Sequence, residues 1–381
     1  MEYYLEKIDK SEEIYVFEKL TETMDGFIEN LGIPFYDCIV MKDGKCVYRH
    51  SNGCTDTDKK TPVTGKELYD IYSCSKLITC TAALQLYERG KFGLDDYLYL
   101  YMPEFENMTV KDENGNVRPA QNKITVRELF TMTAGFGYDV GSPMLRQCLK
   151  DTDGECPTLT VMEYLAKEPL LFEPGYRWNY SLCHDVLAAL VEKISGMTFG
   201  EYVKKNIFDV CDMENSSFLI DESNAERLVC HYSYNNRTGK VEKCPKNVHF
   251  RIGTKYESGG AGCVSCVDDY IKFLEALRTY KLLKKETVDL LSTNQMTKEQ
   301  MDMPSYWVGL KRGYGLGQQC PTKTNKRPDF GWGGAAGSHY FVDCRDGITA
   351  FFATQVLGYD KLQSARSAVT DIVLEAFGVE Y

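Results

Sequence analysis

The 381-residue chain has no excess of basic residues: Lys and Arg number 44 against 55 Asp and Glu, a net charge of -11. Such a surface repels phosphate backbones and anionic lipid, so neither nucleic acid nor a membrane is expected as a partner. No uninterrupted apolar run approaches the length of a bilayer span. The opening Met1-Glu2-Tyr3-Tyr4-Leu5-Glu6-Lys7 has neither the basic region nor the apolar core of an export signal, and a cytoplasmic protein is expected. Gly-x-Ser-x-Gly is absent, which disfavours an α/β-hydrolase elbow. There is no internal repeat and no low-complexity tract. The fifteen cysteines are odd in number and evenly spread in a chain too long to need stapling, so most read as small core hydrophobes in a reducing compartment. Cys263-Val264-Ser265-Cys266 is the one close pair, and with no second pair and no histidine at ligand spacing, neither a metal nor a cofactor is expected.

At 43% hydrophobic and 26% charged, the composition is that of a globular protein with core enough for a buried site. Ile14, Phe17, Leu20, Met24, Phe27 and Ile28 recur at three and four, an amphipathic helix from Ser11 to Leu31. Cys38–Met41 and Cys46–Arg49 flank Asp43-Gly44 and predict a hairpin. Tyr340–Asp343 and Ile348–Ala353 predict a second, followed by a helix from about Leu362 to Phe377. A helix over Asp185–Ile194 closes at Ser195-Gly196, and another runs from Ser265 to about Leu283, with Ser265-Cys266-Val267-Asp268 as a capping box. Residues 105–122 and 220–258 read as loops or small excursions. The expected class is α/β in the α+β sense: one antiparallel sheet from strands of both termini, flanked by helices. Residues 1–80 with 255–381 would form the sheet domain and 81–254 a mainly helical insertion, with the site between them.

Ser73-Cys74-Ser75-Lys76 opens the apolar run Leu77–Leu84, and no other Ser-x-x-Lys occurs in the chain. A helix beginning at Ser73 stacks Lys76 one turn above it on the same face, and the following Leu84–Lys91 reads as a helix end that buries one side and stops at Gly90. A serine hydroxyl needs an adjacent base, which a lysine supplies where burial lowers its pKa, and a helix N-terminus suits an oxyanion. The bland alternative is an N-cap followed by a solvated lysine. Tyr176-Arg177-Trp178-Asn179-Tyr180-Ser181 sets Tyr180 at the entry to the Asp185 helix, as a proton relay or simply a half-buried aromatic. Phe330-Gly331-Trp332-Gly333-Gly334-Ala335-Ala336-Gly337 permits close backbone approach to a ligand, which a bulge or corner explains equally well.

These three stations, in this order, resemble the serine β-lactamase-like superfamily, with its Ser-x-x-Lys, Tyr-x-Asn and Lys-Thr-Gly. Ile124–Leu129 with Thr133-Ala134-Gly135, Glu173-Pro174-Gly175, Glu257–Gly262 and Tyr314–Gly317 extend the likeness over nearly the whole chain. The resemblance implies Ser73 as the acylated nucleophile, Lys76 as its base, Tyr180 completing the proton relay, and the backbone N–H groups of Ser73 and Ala335 as oxyanion hole, Ala335 leaving an edge strand. Leu182 replaces the Asn of Tyr-x-Asn, and Trp332 replaces the Lys that helps bind a β-lactam or D-alanyl carboxylate. An indole fits a neutral ester better. The combination looks like the esterase and acyltransferase branch, with Trp332, Gly333, Gly334, Leu182, Tyr138 and His339 expected to bind a small-molecule acyl ester or amide. His184 is expected to be structural; His339, on the presumed edge strand, is open. The alternatives are a β-lactamase or D-amino-acid peptidase within the superfamily, and a non-catalytic binding or sensor protein outside it. The oligomeric state is left open.

Overall fold

The computed structural model describes residues 10–112, 114–220, 225–247, 249–302, 313–322 and 328–379. Residues 1–7, which carry the expectation about export, and the side chain of Ile14 lie outside the described part.

Asp43 and Gly44 both adopt positive φ, as the tight turn of a two-residue hairpin requires, and join β1 (Phe35–Lys42) to β2 (Lys45–Asp56). With β3 (Thr61–Pro62), β4 (Gly313–Tyr314), β5 (Gln319–Cys320), β6 (Phe330–Gly333), β7 (His339–Asp343) and β8 (Ile348–Ala353) they form an eight-stranded sheet in the order β4-β5-β6-β7-β8-β1-β2-β3. Every pairing in it is antiparallel. The two ends of the chain meet inside it, β1 pairing with β8 from Asp37 opposite Ala353 to Lys42 opposite Ile348.

Five helices matter to the site: α1 (Lys10–Leu31), α2 (Ser75–Glu88), α3 (Cys183–Ser195), α4 (Val267–Arg278) and α5 (Asp360–Ala376). All six residues of β8 are buried, as its continuous apolar run demands of a strand covered on both faces. Neighbouring residues of a strand point to opposite faces, so Phe351 packs on Tyr270 of α4, with centroids 4.4 Å apart, while Phe352 meets Phe27 of α1 at 6.0 Å. Leu20, Met24 and Phe27 carry the buried stripe of α1, which lies beside α5.

Three expectations are corrected. Ser265 does not cap α4: it lies in the short strand Val264–Ser265, paired with Tyr69–Asp70, and its hydroxyl meets that of Ser216 at 2.8 Å, so the helix starts at Val267. The polar stretches, expected as loops or small excursions without regular structure, each hold a hairpin, Thr109–Lys111 with Val117–Pro119 and Tyr232–Asn235 with Lys240–Lys243. Helix α2 is not one-sided. Every residue from Ser75 to Leu86 is buried, because Leu77, Ile78, Ala82, Ala83, Leu84 and Leu86 distribute apolar side chains around the whole helix and leave no continuous polar face for water. Among the described residues, no helix is long and apolar enough to cross a membrane.

Candidate active site

Ser73 sits in a 3-10 turn, Tyr72–Cys74, that runs directly into α2, so the α-helix proper starts two residues after the serine rather than at it. Tyr72 is held at φ +45°, a strained conformation for an aromatic residue, with its ring 6.3 Å from that of His231. Lys76 lies in the first turn of α2 and is fully buried, while Ser73 keeps 7% exposure. The helix with no polar face thus forces a lysine into the core beside a serine that still reaches the surface.

Two groups converge on the Ser73 hydroxyl. Lys76 Nζ lies 3.3 Å from Ser73 Oγ, and the Tyr180 hydroxyl donates to the same oxygen. Lys76 Nζ also donates to the Gly260 carbonyl at 2.6 Å, reaches the Tyr138 hydroxyl at 3.5 Å, and lies 4.6 Å from the centre of the Tyr180 ring. Glycine at 260 leaves room for this cluster, since a Cβ there would stand 2.4 Å from Asp185 Oδ2 and would force that carboxylate to move.

Asp185 is the buried acid behind this cluster, accepting from Tyr256 at 2.7 Å and Ser258 at 2.6 Å. Burial pushes its carboxyl up, opposed by the Ser258 hydrogen bond and the positive charge of Lys76. Sequence reasoning read Asp185 as a helix start. The signal was an acid on a helix whose neighbours Val186, Leu187 and Leu190 are all core residues. Tyr138 is driven well above the usual phenol range by burial, then by neighbouring Tyr180 and Asp185. His184 is structural, as expected: burial, reinforced by Lys76, takes it down to about 3, and its neutral ring meets the Phe130 carbonyl at 3.2 Å.

The serine opens into a cavity of about 550 Å³, walled by Tyr72, Tyr138, Trp178, Tyr180, Phe250 and Trp332. Gly333, Gly334, Ala335 and His339 also line it. Trp332 stacks on Tyr180 at 5.8 Å, and His339 Nε2 lies 2.8 Å from Thr370 Oγ1. Gly334 answers the question its sequence left open: a Cβ would stand 2.1 Å from Ser338 Oγ and 2.5 Å from the Ile71 carbonyl, so the close approach is to the segment leading into Ser73.

Leu182 is not in the cavity. It is 2% exposed and packs in the core, its N–H held by the Gly137 carbonyl at 3.0 Å, because an apolar side chain at the turn into α3 gains more by facing inward. Nor is the strand before Ala335 an edge, since β4 and β5 lie outside β6. Although Trp332 stands where the lysine would be, the cavity does carry a cation. Arg366 of α5 lines it, donating to the Gly334 and Ser338 carbonyls at 2.8 and 3.0 Å. Burial lowers its pKa to about 10, which leaves it charged at neutral pH. Nothing in the sequence marked Arg366, because an arginine on an amphipathic helix reads as a solvated face.

Residues 20–374 match the model of a family described as Beta-lactamase. Esterase EstB of Burkholderia gladioli is 27% identical over 345 residues, 83% of this chain and 84% of that protein. Simvastatin synthase LovD from Aspergillus terreus shares the fold with a TM-score of 0.79 at 22% identity, over 96% of this chain and 98% of its own. EstCE1, described as a hydrolase with promiscuous acyltransferase activity, gives 0.77 at 22% identity, over 94% and 99%. The family match runs from within α1 to within α5, and the chain belongs to the beta-lactamase family.

Proposed function

We propose that this protein is a serine esterase or acyltransferase that handles small or medium acyl esters through an acyl-enzyme on Ser73. The observation that carries the reading is the meeting of a fully buried amine and a phenol on one serine hydroxyl at the floor of an open aromatic cavity. EstB, LovD and EstCE1 support the substrate class by what they are called.

In this reading, Ser73 Oγ attacks the acyl carbonyl and its proton passes to the lone pair of Lys76 Nζ, which takes part in this step as the neutral amine and becomes the ammonium. The carbonyl oxygen takes the negative charge, facing the N–H groups of Ser73 and Ala335. Tyr180 relays the proton to the departing alkoxide, which leaves as an alcohol. Water, or a second alcohol, then enters by the reverse path and releases the acyl group as acid or new ester. Trp332, Tyr138 and His339 border the space for the acyl group.

A second reading, hydrolysis of a β-lactam or a D-amino-acid peptide, is favoured by one observation: the Arg366 guanidinium lines the cavity and could meet a carboxylate. Both of its assigned hydrogen bonds go to backbone carbonyls, which favours the ester. A fluorophosphonate probe with intact-mass detection tests the common mechanism, the expected result being one adduct on the wild type and none on Ser73→Ala. An unlabelled wild type would leave only a binding protein. Parallel turnover of p-nitrophenyl esters and a chromogenic cephalosporin separates the two readings, with esters expected to be faster.

A further inference from the structure

Behind the cavity wall, on the side of Tyr72 and Phe250, two imidazoles and a carboxylate meet. Asp70, in the strand Tyr69–Asp70, is three residues ahead of Ser73. His231 Nε2 lies 2.9 Å from Asp70 Oδ2, and His249 Nδ1 lies 2.9 Å from Oδ1 and 3.0 Å from Oδ2. The three ligand atoms stand within 4.8 Å of one another, the only such group of three His, Cys, Asp or Glu among the described residues. The histidine rings are 5.6 Å apart at 70°, and one nitrogen of each lies within 3.0 Å of the same oxygen, Asp70 Oδ2.

We propose that Asp70, His231 and His249 form a binding site for one divalent transition-metal ion of the zinc class. Two imidazole nitrogens and one carboxylate oxygen are the donor set that such ions take, whereas magnesium and calcium prefer oxygen throughout. At zinc bond lengths, tetrahedral ligand atoms stand about 3.3 Å apart. The present separations from Asp70 Oδ2, 2.9 and 3.0 Å, open to that value by a few tenths of an ångström. Asp70 and His231 are buried, with side-chain exposures of 4% and 0%, while His249 keeps 27%, which leaves a path for the ion and room for water as fourth ligand. Each neutral imidazole holds its proton on one nitrogen. Moving that proton to the other nitrogen turns a lone pair toward the ion, so two neutral ligands and one anion receive it. The ion would tie the strand before Ser73 to both ends of the excursion that includes the Tyr232–Asn235 hairpin, and so steady Tyr72 and Phe250 without entering the acyl-transfer steps.

The test uses the full-length protein, stripped by a chelator and titrated with Zn²⁺ and with Co²⁺. The expected result is one zinc per chain and a rise in Tm on binding. Cobalt should give a d–d spectrum without the sulfur-to-metal charge-transfer absorption that cysteine ligation would add. His249→Gln keeps a donor for Asp70 at a half-exposed position, and should weaken binding by more than the roughly 10- to 100-fold that loss of an outer-shell partner costs. His231→Asn should do the same, while Ser73→Ala should bind as the wild type does. The proposal is overturned by a wild type that takes up no stoichiometric zinc, by binding that both histidine variants retain, or by a cobalt spectrum showing thiolate.

Discussion

The wall of the cavity that carries Ser73, Lys76 and Tyr180 and the wall that carries Trp332, His339 and Arg366 are held in place by different means. On the first, the amine is in the core, and its neighbours Gly260, Asp185 and Tyr138 are packed around it. On the second, the three side chains come from β6, β7 and α5 and remain half-buried. A group fixed by surrounding core holds its geometry whatever occupies the cavity, as a reacting group must. Residues at a half-open wall can be exchanged at little cost to the fold, which is where change of substrate is expected to occur.

The hardest blow to the first wall is the loss of its nucleophile or base. Ser73→Ala and Lys76→Ala should each lower ester turnover by about 10⁴-fold or more, and the double variant should be little worse than either, since groups acting as a unit give non-additive losses. Multiplicative losses in steady-state kinetics would mean that the two act independently. Tyr180→Phe keeps the ring stacked on Trp332 and removes only the hydroxyl, so kcat should fall by roughly 10²- to 10⁴-fold if Tyr180 relays the proton. A rate within about twofold of wild type would move Tyr180 from the first wall to the second.

On the second wall, Trp332→Leu should change the preference between short and longer acyl chains by roughly tenfold, while fluorophosphonate labelling of Ser73 persists. Loss of labelling in that variant would erase the distinction between the walls. The smallest effect belongs to neither. Glu128 closes the capping box of the helix Val126–Thr131, and burial raises its carboxyl from the usual 4.5 to about 7. A folded-state pKa above the unfolded one stabilises at low pH and loses that contribution as pH rises from about 4.5 through about 7. Glu128→Gln removes the penalty, so its Tm relative to wild type should climb over that interval by roughly 2 °C, with ester kinetics unchanged.

How much of this was legible follows the same division. The Ser73–Lys76 spacing and the two terminal hairpins depend on local periodicity and turn chemistry, which a single sequence displays. Asp185 and Arg366 depend on what faces them: an acid at a helix start and an arginine on an amphipathic helix look solvated until Lys76 and the Gly334 carbonyl are placed beside them. Leu182 failed for the converse reason, since its position in a motif says nothing about which way its side chain turns. The Tyr232–Asn235 hairpin was hidden by its polar outer residues, although Gly239 at φ +69° sits where its turn needs one.

The pairing of β1 with β8 has a consequence for how the chain is made. Asp37 leaves the ribosome long before its partner Ala353 emerges. Until then the first hairpin has no neighbour on the side that later joins β8, and Phe35, Cys38 and Val40, buried in the finished protein, wait without their cover. Contacts of such long range make folding slow and leave an open strand edge to be guarded meanwhile. A chain halted before Ile348 therefore lacks the strand that unites its two ends, and is expected to behave as a client of chaperones rather than as a smaller enzyme.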